Sequence, residues 1–321
     1  GSIYTMPVKF GIPMIEGNKD IIAGITDLTT EADAAESQKD SYGKLQFFSD
    51  FSIAPSYLIQ GTIDNSIPAW MNEDGTLNEN AVKEYLEQVN RIWQTQKNAI
   101  EETKKAYQMG DDWADSDHSG YMDISGSVTS LFAKVDTVAA GGLLSPEGLV
   151  SLDSARKVDP DLDYKLLNGQ SENCFYPRSA VGVSAKASEK EAAEKFVKFL
   201  FEEESQRASN TEGLAVNSKV YEDMAYWKMG KSSGDTIGSI GASYDTGDGN
   251  IKQIEMDEII PEDEAIQNIM DLGKTLTVPA KSNQIIRNAV TESGEKYLNG
   301  ETGLDDAVKE IMQEVNLYLS E

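Results

Sequence analysis

Val82, Tyr85, Leu86, Val89, Ile92 and Trp93 recur three and four residues apart, so the stretch after the turn-like Asn72-Glu73-Asp74-Gly75 is a helix with one apolar face. Such a face has to be buried, which makes Trp93 core rather than a ligand platform. A second helix is predicted to begin at about residue 189, where Ser188 and Glu191 have the spacing of a capping box and Phe196, Val197 and Leu200 make the buried face. A third starts near Ser282 or Asn283 and runs through Ile285, Ile286, Ala289, Val290 and Tyr297 to Gly300, which is placed to end it in a left-handed cap. The fourth comes after Thr302 and carries Leu304, Ala307, Val308, Ile311, Met312, Val315 and Tyr318. Short apolar runs fit buried strands at 134–140, ending at Gly141-Gly142, at 164–167 and at 180–184. Helices alternating with such strands predict an α/β sandwich. The stretch 228–250, rich in Gly, Ser and Asp without periodicity, reads as an irregular loop.

Composition narrows the function by exclusion. A chain of 321 residues, 39% hydrophobic and 26% charged, can bury a large core and favours two domains or lobes. Lys+Arg 28 against Asp+Glu 55 gives a formal charge of -27, which repels phosphate backbones and anionic membrane surfaces, so no nucleic acid partner is expected. The same charge keeps an exported protein in solution. The single cysteine, Cys174, cannot form an internal disulfide or a cysteine-rich zinc site. No apolar run is long enough to span a bilayer.

Catalysis finds little support. His118 is the one histidine, flanked by Asp117 and Ser119 in an apparent loop, and there is no Walker motif and no GxGxxG. The acidic stretch 111–123 places Asp115, Asp117, Ser119, Gly120 and Asp123 at offsets that suit a calcium loop. Gly126 stands where the EF-hand needs a bidentate Glu, and a solvated acidic loop is the reading preferred. Neither an enzyme nor a cofactor is expected. Trp70 and Trp227 lie in turn-rich surroundings and are assigned to packing.

Three stretches together resemble the family-one extracellular solute-binding proteins of ABC importers, the group that includes the maltose-binding receptors. Ile3-Tyr4-Thr5-Met6-Pro7-Val8 is similar to the strand by which those proteins cross from the first lobe to the second. Phe175-Tyr176-Pro177-Arg178-Ser179-Ala180-Val181-Gly182-Val183-Ser184, then Ala192 to Leu200, Gln206 and Gly213-Leu214-Ala215-Val216-Asn217, look like the return crossing, its helix and the loop after that helix. Lys296-Tyr297-Leu298-Asn299-Gly300-Glu301, Ala307, Ile311 and Tyr318 to Glu321 are similar to the closing helix pair.

The resemblance implies a type II periplasmic-binding-protein-like α/β fold, two lobes with hinge crossings, its first lobe incomplete because no half-lobe precedes the Tyr4 strand. Residues 1–9 then enter lobe two, 10–178 form its first part, 179–220 return to lobe one and 221–321 complete lobe two. Gly1-Ser2 reads as an expression scar, with any leader or lipid anchor upstream. An incomplete lobe leaves faces such as Phe196 and Leu200 in need of cover. The implied function is capture of a small polar solute, a carbohydrate first, a peptide, amino acid or other metabolite second, for delivery to a membrane permease. A glycoside hydrolase and a surface interaction module are the other readings. The full-length protein is expected to be a monomer, lipid-anchored at the cell surface or periplasmic.

Solute contacts are expected at the crossings and at strand ends: Tyr4, Gly141, Gly142, Leu143, Phe175, Tyr176, Arg178, Asn283, Gln284 and Arg287. Gly141-Gly142 either lets backbone approach a ligand or makes a plain tight turn. In sugar receptors of this type the matching loop often carries a tryptophan, where here Leu143 and Leu144 stand. Phe175 and Tyr176 either stack on solute or pack the hinge. Arg178 pairs either with a ligand anion or with one of the many acidic side chains. Asn283 and Gln284 either present a helix N-terminus to solute or cap the helix. Metal ligation is not expected.

Overall fold

The computed structural model describes residues 5–38, 54–107, 138–208, 213–245, 251–280 and 283–319. In chain order its elements are β1 (Met6–Asn18), α1 (Lys19–Ile22), α2 (Leu28–Gln38), α3 (Pro55–Ile63), α4 (Ile67–Trp70), α5 (Glu79–Tyr107), β2 (Val138–Leu143), α6 (Pro146–Val158), β3 (Leu162–Leu166) and β4 (Cys174–Val181). Next come α7 (Lys190–Leu200), α8 (Glu203–Arg207), β5 (Leu214–Ala215), α9 (Ser218–Tyr221), α10 (Met224–Trp227), β6 (Thr236–Asp245), β7 (Ile251–Ile259), α11 (Asp263–Thr275), β8 (Val278–Pro279), α12 (Gln284–Leu298) and α13 (Leu304–Leu319). The α/β class read from the sequence holds.

The long strand β1 organises the sheet. Its first half pairs antiparallel with β4, Met6 opposite Val181 through Gly11 opposite Tyr176, and with β5. Its second half pairs with β2, Ile12 opposite Leu143, and with β3, Met14 opposite Leu166. The six strands run β2-β1-β4-β8, with β3 and β5 also on β1. Among the described residues two large hydrophobic clusters flank this sheet, and a small third one joins Ala139, Ala155, Leu162 and Met256. One of the large clusters joins Ile15 to the apolar faces of α2, α3, α5, α12 and α13. The other joins Ile12, Met14 and Leu143 to Leu149, Leu214, Tyr221, Trp227 and α11.

Three of the four periodic helices, α5, α12 and α13, match their expectations. Val82, Tyr85, Leu86, Val89, Ile92 and Trp93 are all buried in α5. Asn283 caps α12, accepting from the backbone N–H groups of Ile285 and Ile286 at 3.0 and 3.2 Å. At its other end Gly300 has φ +78, with its N–H on the Tyr297 carbonyl and that of Glu301 on the Lys296 carbonyl, the double bond of a Schellman cap. Trp70 and Trp227 are buried and satisfied, their Nε1 donating to Gln170 Oε1 and to the Tyr221 carbonyl.

Four local expectations are corrected. Strand β2 does not end at Gly141-Gly142 but runs through both to Leu143. The stretch 228–250 is not all loop: β6 forms an antiparallel hairpin with β7, and its Gly and Ser content hid the strand. Ser188 does not cap the second predicted helix, which starts at Lys190 behind Glu189 with no side-chain cap. The predicted buried face of that helix, α7, is not buried: Phe196 is 59% and Phe199 51% exposed, their rings stacked at 6.5 Å. Apolar spacing shows that a face is apolar and does not show what covers it.

Candidate functional site

Alternation along β1 and β4 divides the predicted residues between two faces of the sheet. Lys9 and Gly11 stand opposite Arg178 and Tyr176 on one face, while Phe10 and Phe175 lie on the other. Segment 277–280 binds the start of β4, with the N–H groups of Thr277 and Val278 on the Asn173 carbonyl and that of Ala280 on the Phe175 carbonyl at 2.8 Å. This carries the N-terminus of α12 to the strand crossing.

On the first face, Tyr176 is buried against glycine backbone. A Cβ on Gly142 would meet Leu144 at 2.9 Å and Tyr176 at 3.4 Å, and one on Gly11 would meet Leu144 at 2.5 Å. Gly142 is therefore a packing glycine inside a strand, neither a tight turn nor an open approach to ligand. Burial, with Asp64, Cys174 and Glu31 nearby, raises the Tyr176 hydroxyl pKa, so it stays protonated. Asp64 accepts from Arg287 Nη1 at 2.5 Å, an ion pair with side chains only 3% and 13% exposed. Gln284 is exposed on the first turn of α12, its Nε2 bonded to Asn288 Oδ1 at 2.7 Å. Arg178 is half-buried opposite Lys9, whose Nζ donates to the Gln206 carbonyl at 2.6 Å and whose pKa burial lowers.

The second face carries a hollow of about 240 Å³ lined by Pro7, Phe10, Phe175, Val216, Gly273 and Leu276. Phe10 and Phe175 meet edge to face at 6.3 Å. None of these side chains can hydrogen-bond, so the hollow by itself suits an apolar group. Gly141 and Leu143 are on this side of β2, and Leu143 is fully buried in the second cluster.

Gly142, Tyr176 and Arg178 thus share the first face, Gly141, Leu143 and Phe175 lie on the other, and Asn283, Gln284 and Arg287 open α12, which segment 277–280 ties to the start of β4. Tyr4, His118 and the acidic stretch 111–123 lie outside the described residues. Sequence reasoning missed Asp64, Lys9 and Phe10. The last two continue the predicted crossing strand, whereas nothing in the turn Asp64-Asn65-Ser66 announces a partner 223 residues away. Among the described residues no group of three or more His, Cys, Asp and Glu could hold a metal, and no helix is long and apolar enough to cross a membrane.

Residues 3–207 match the family model described as bacterial extracellular solute-binding protein. No curated protein sequence matches the chain. Among solved structures, a periplasmic-binding protein from Synechococcus sp. MITs9220 in complex with zinc matches at TM-score 0.54 and 12% identity, over 99% of this chain and 73% of that one. The cyclic alpha-maltosyl-1,6-maltose binding protein of Arthrobacter globiformis matches at TM-score 0.49 and 13% identity, over 98% and 72%. The GacH receptor of Streptomyces glaucescens, solved unliganded and with acarbose, matches at 0.48 and 12%, over 100% and 72%. At these identities the first likeness speaks for the fold alone.

Proposed function

The chain belongs to the bacterial extracellular solute-binding proteins, and from that premise we propose that it captures a small polar solute, a carbohydrate, and presents it to an ABC permease. The observation that carries this reading is the family match from residue 3 to residue 207, which spans both the entering strand β1 and the returning strand β4. Ranges 10–178 and 221–321 make one lobe, whose common core is the cluster joining Ile15 and α5 to α12 and α13. Ranges 1–9 and 179–220 belong to the other. The protein acts outside the cytoplasm, anchored by lipid or free in a periplasm, as a monomer in its full-length form.

The solute engages the first face, where Arg178, Gln284 and the Arg287–Asp64 pair offer donors and acceptors beside the α12 N-terminus. Receptor function needs binding and release without bond breaking, and closure of two lobes about the crossing supplies the signal to the permease. A thermal-shift screen against neutral oligosaccharides, amino acids, short peptides and other metabolites tests this. The reading expects saturable stabilisation by an oligosaccharide with no product on chromatography. Product formation would make the protein a hydrolase, and stabilisation by amino acids or peptides alone would move the substrate class.

A further inference from the structure

Strand β3 is bonded along one edge. Its antiparallel ladder with β1 sets Met14 opposite Leu166, Ile15 opposite Lys165, Glu16 opposite Tyr164 and Gly17 opposite Asp163. Two flanking bonds fix the phase of that ladder: the Leu167 N–H donates to the Pro13 carbonyl at 3.0 Å and the Lys19 N–H to the Asp161 carbonyl at 2.8 Å. Hydrogen-bonded pairs alternate with non-bonded pairs in an antiparallel ladder, so Asp163 and Lys165 turn their backbone groups toward β1 while Tyr164 and Leu166 turn theirs outward. Among the described residues β3 pairs only with β1, and no turn, loop or cap takes up those outward groups. An edge with its N–H and C=O groups open is a template for a further strand.

What borders the edge narrows the occupant. A cavity of about 510 Å³ between β3 and α11 is walled by Asp163, Tyr164, Lys165 and Leu166, consecutive residues that point alternately to the two faces, so it follows the strand's edge. That volume falls within the roughly 300–1,000 Å³ of ordinary ligand pockets. By register Met14, Tyr164 and Leu166 share one face of the sheet, and Ile269 and Leu272 of α11 line the same cavity. A strand laid along the edge therefore turns every second side chain onto an apolar floor. The side chains between them point to the opposite face, where β3 carries Asp163 and Lys165, one charge of each sign. Uncharged polar residues suit that face, and the formal charge of -27 disfavours an acidic segment.

We infer that the outer edge of β3 docks an extended peptide segment, apolar at alternate positions and uncharged polar between them, which joins the sheet as a strand through the N–H and C=O groups of Tyr164 and Leu166. This site is separate from the solute face, and neither reading needs the other.

The probe is acetyl-Leu-Thr-Leu-Thr-Leu-amide, titrated by calorimetry into the whole chain beside two analogues, one N-methylated at the leucines and one at the threonines. In an added strand every second N–H faces β3, those of the leucines if it runs antiparallel and those of the threonines if it runs parallel. Saturable binding of the parent peptide is expected, kept by one analogue and weakened about tenfold or more in the other. Amide exchange followed by NMR locates the contact. In the free protein the Tyr164 and Leu166 amides should exchange faster than those of Asp163 and Lys165, and bound peptide should slow those two by about tenfold or more. Leu272→Trp, which fills the floor, should weaken the peptide about tenfold, with circular dichroism to show that the variant folds and Ala265→Trp as the alternative filling variant. No saturable binding, equal affinity of the two analogues, unchanged exchange at Tyr164 and Leu166, or unaltered affinity in a folded filling variant would overturn the assignment.

Discussion

Arg287 and Asp64 form an ion pair that ties the first turn of α12 to the turn after α3. The pair is withdrawn from water, and removing one partner leaves the other charge buried and uncompensated. Arg287→Ala should therefore cost about 3–5 kcal/mol in urea unfolding. Gln284→Ala, at an exposed position three residues earlier, should change stability by less than about 0.5 kcal/mol. Glu31 makes the opposite demand. It is buried with Oε1 unpartnered, and burial first, with the Asp27 charge second, raises its carboxyl from 4.5 to about 8. A folded-state value above the unfolded one means that the native state holds the proton more tightly. Its contribution is complete below about pH 4.5 and is lost as pH rises toward about 8. Glu31→Gln should thus match the parent near pH 4.5 and exceed it near pH 8 by about 2–4 kcal/mol, read from paired denaturation curves at the two pH values. Neither residue could be placed from sequence. A carboxylate announces its type, whereas its burial depends on neighbours contributed by α3, α5 and α12.

At the level of elements, the legible parts are those whose own sequence satisfies their ends and faces. Helix α12 has its cap in Asn283 and its stop in Gly300, both of them local signals. Asn283→Ala should cost about 1 kcal/mol, because two backbone N–H groups lose their acceptor. Ser188→Ala should cost almost nothing, less than about 0.5 kcal/mol, since its hydroxyl caps no helix. Equal losses in the two variants would mean that Ser188 caps α7 after all. The face of α7 shows the limit of periodicity. Phe196 and Phe199 keep helical spacing yet stand exposed, because spacing encodes an apolar stripe and the covering surface lies elsewhere. Hairpin β6–β7 escaped notice for the converse reason. Gly238, Ser239, Gly241 and Ser243 give no alternation, and part of its fixing comes from α6, where Ser151 donates to Glu258 and Ser154 accepts from the Ile259 N–H.

For the molecule as a whole, the crossing topology is legible because β1 and β4 carry a family pattern, while the arrangement of the site is not. Phe175 and Tyr176 are neighbours in sequence and lie on opposite faces of the sheet, so a list of residues near a crossing cannot say which of them share a surface. The glycines of β2 are legible as unusual. Their cause, the space taken by Leu144 and Tyr176, becomes visible only when β1 brings β2 and β4 together. We propose solute capture on the side of the sheet bearing Arg178, next to the start of α12 with Gln284 and Arg287. Titration calorimetry of the parent and of Gln284→Ala, using an oligosaccharide that stabilises the parent, decides whether that face is the binding surface. Saturable heat is expected for the parent, with unchanged sugar on recovery and an affinity about tenfold weaker in the variant at an unaltered melting temperature. The same affinity in both proteins would contradict the assignment and place the solute elsewhere on the molecule.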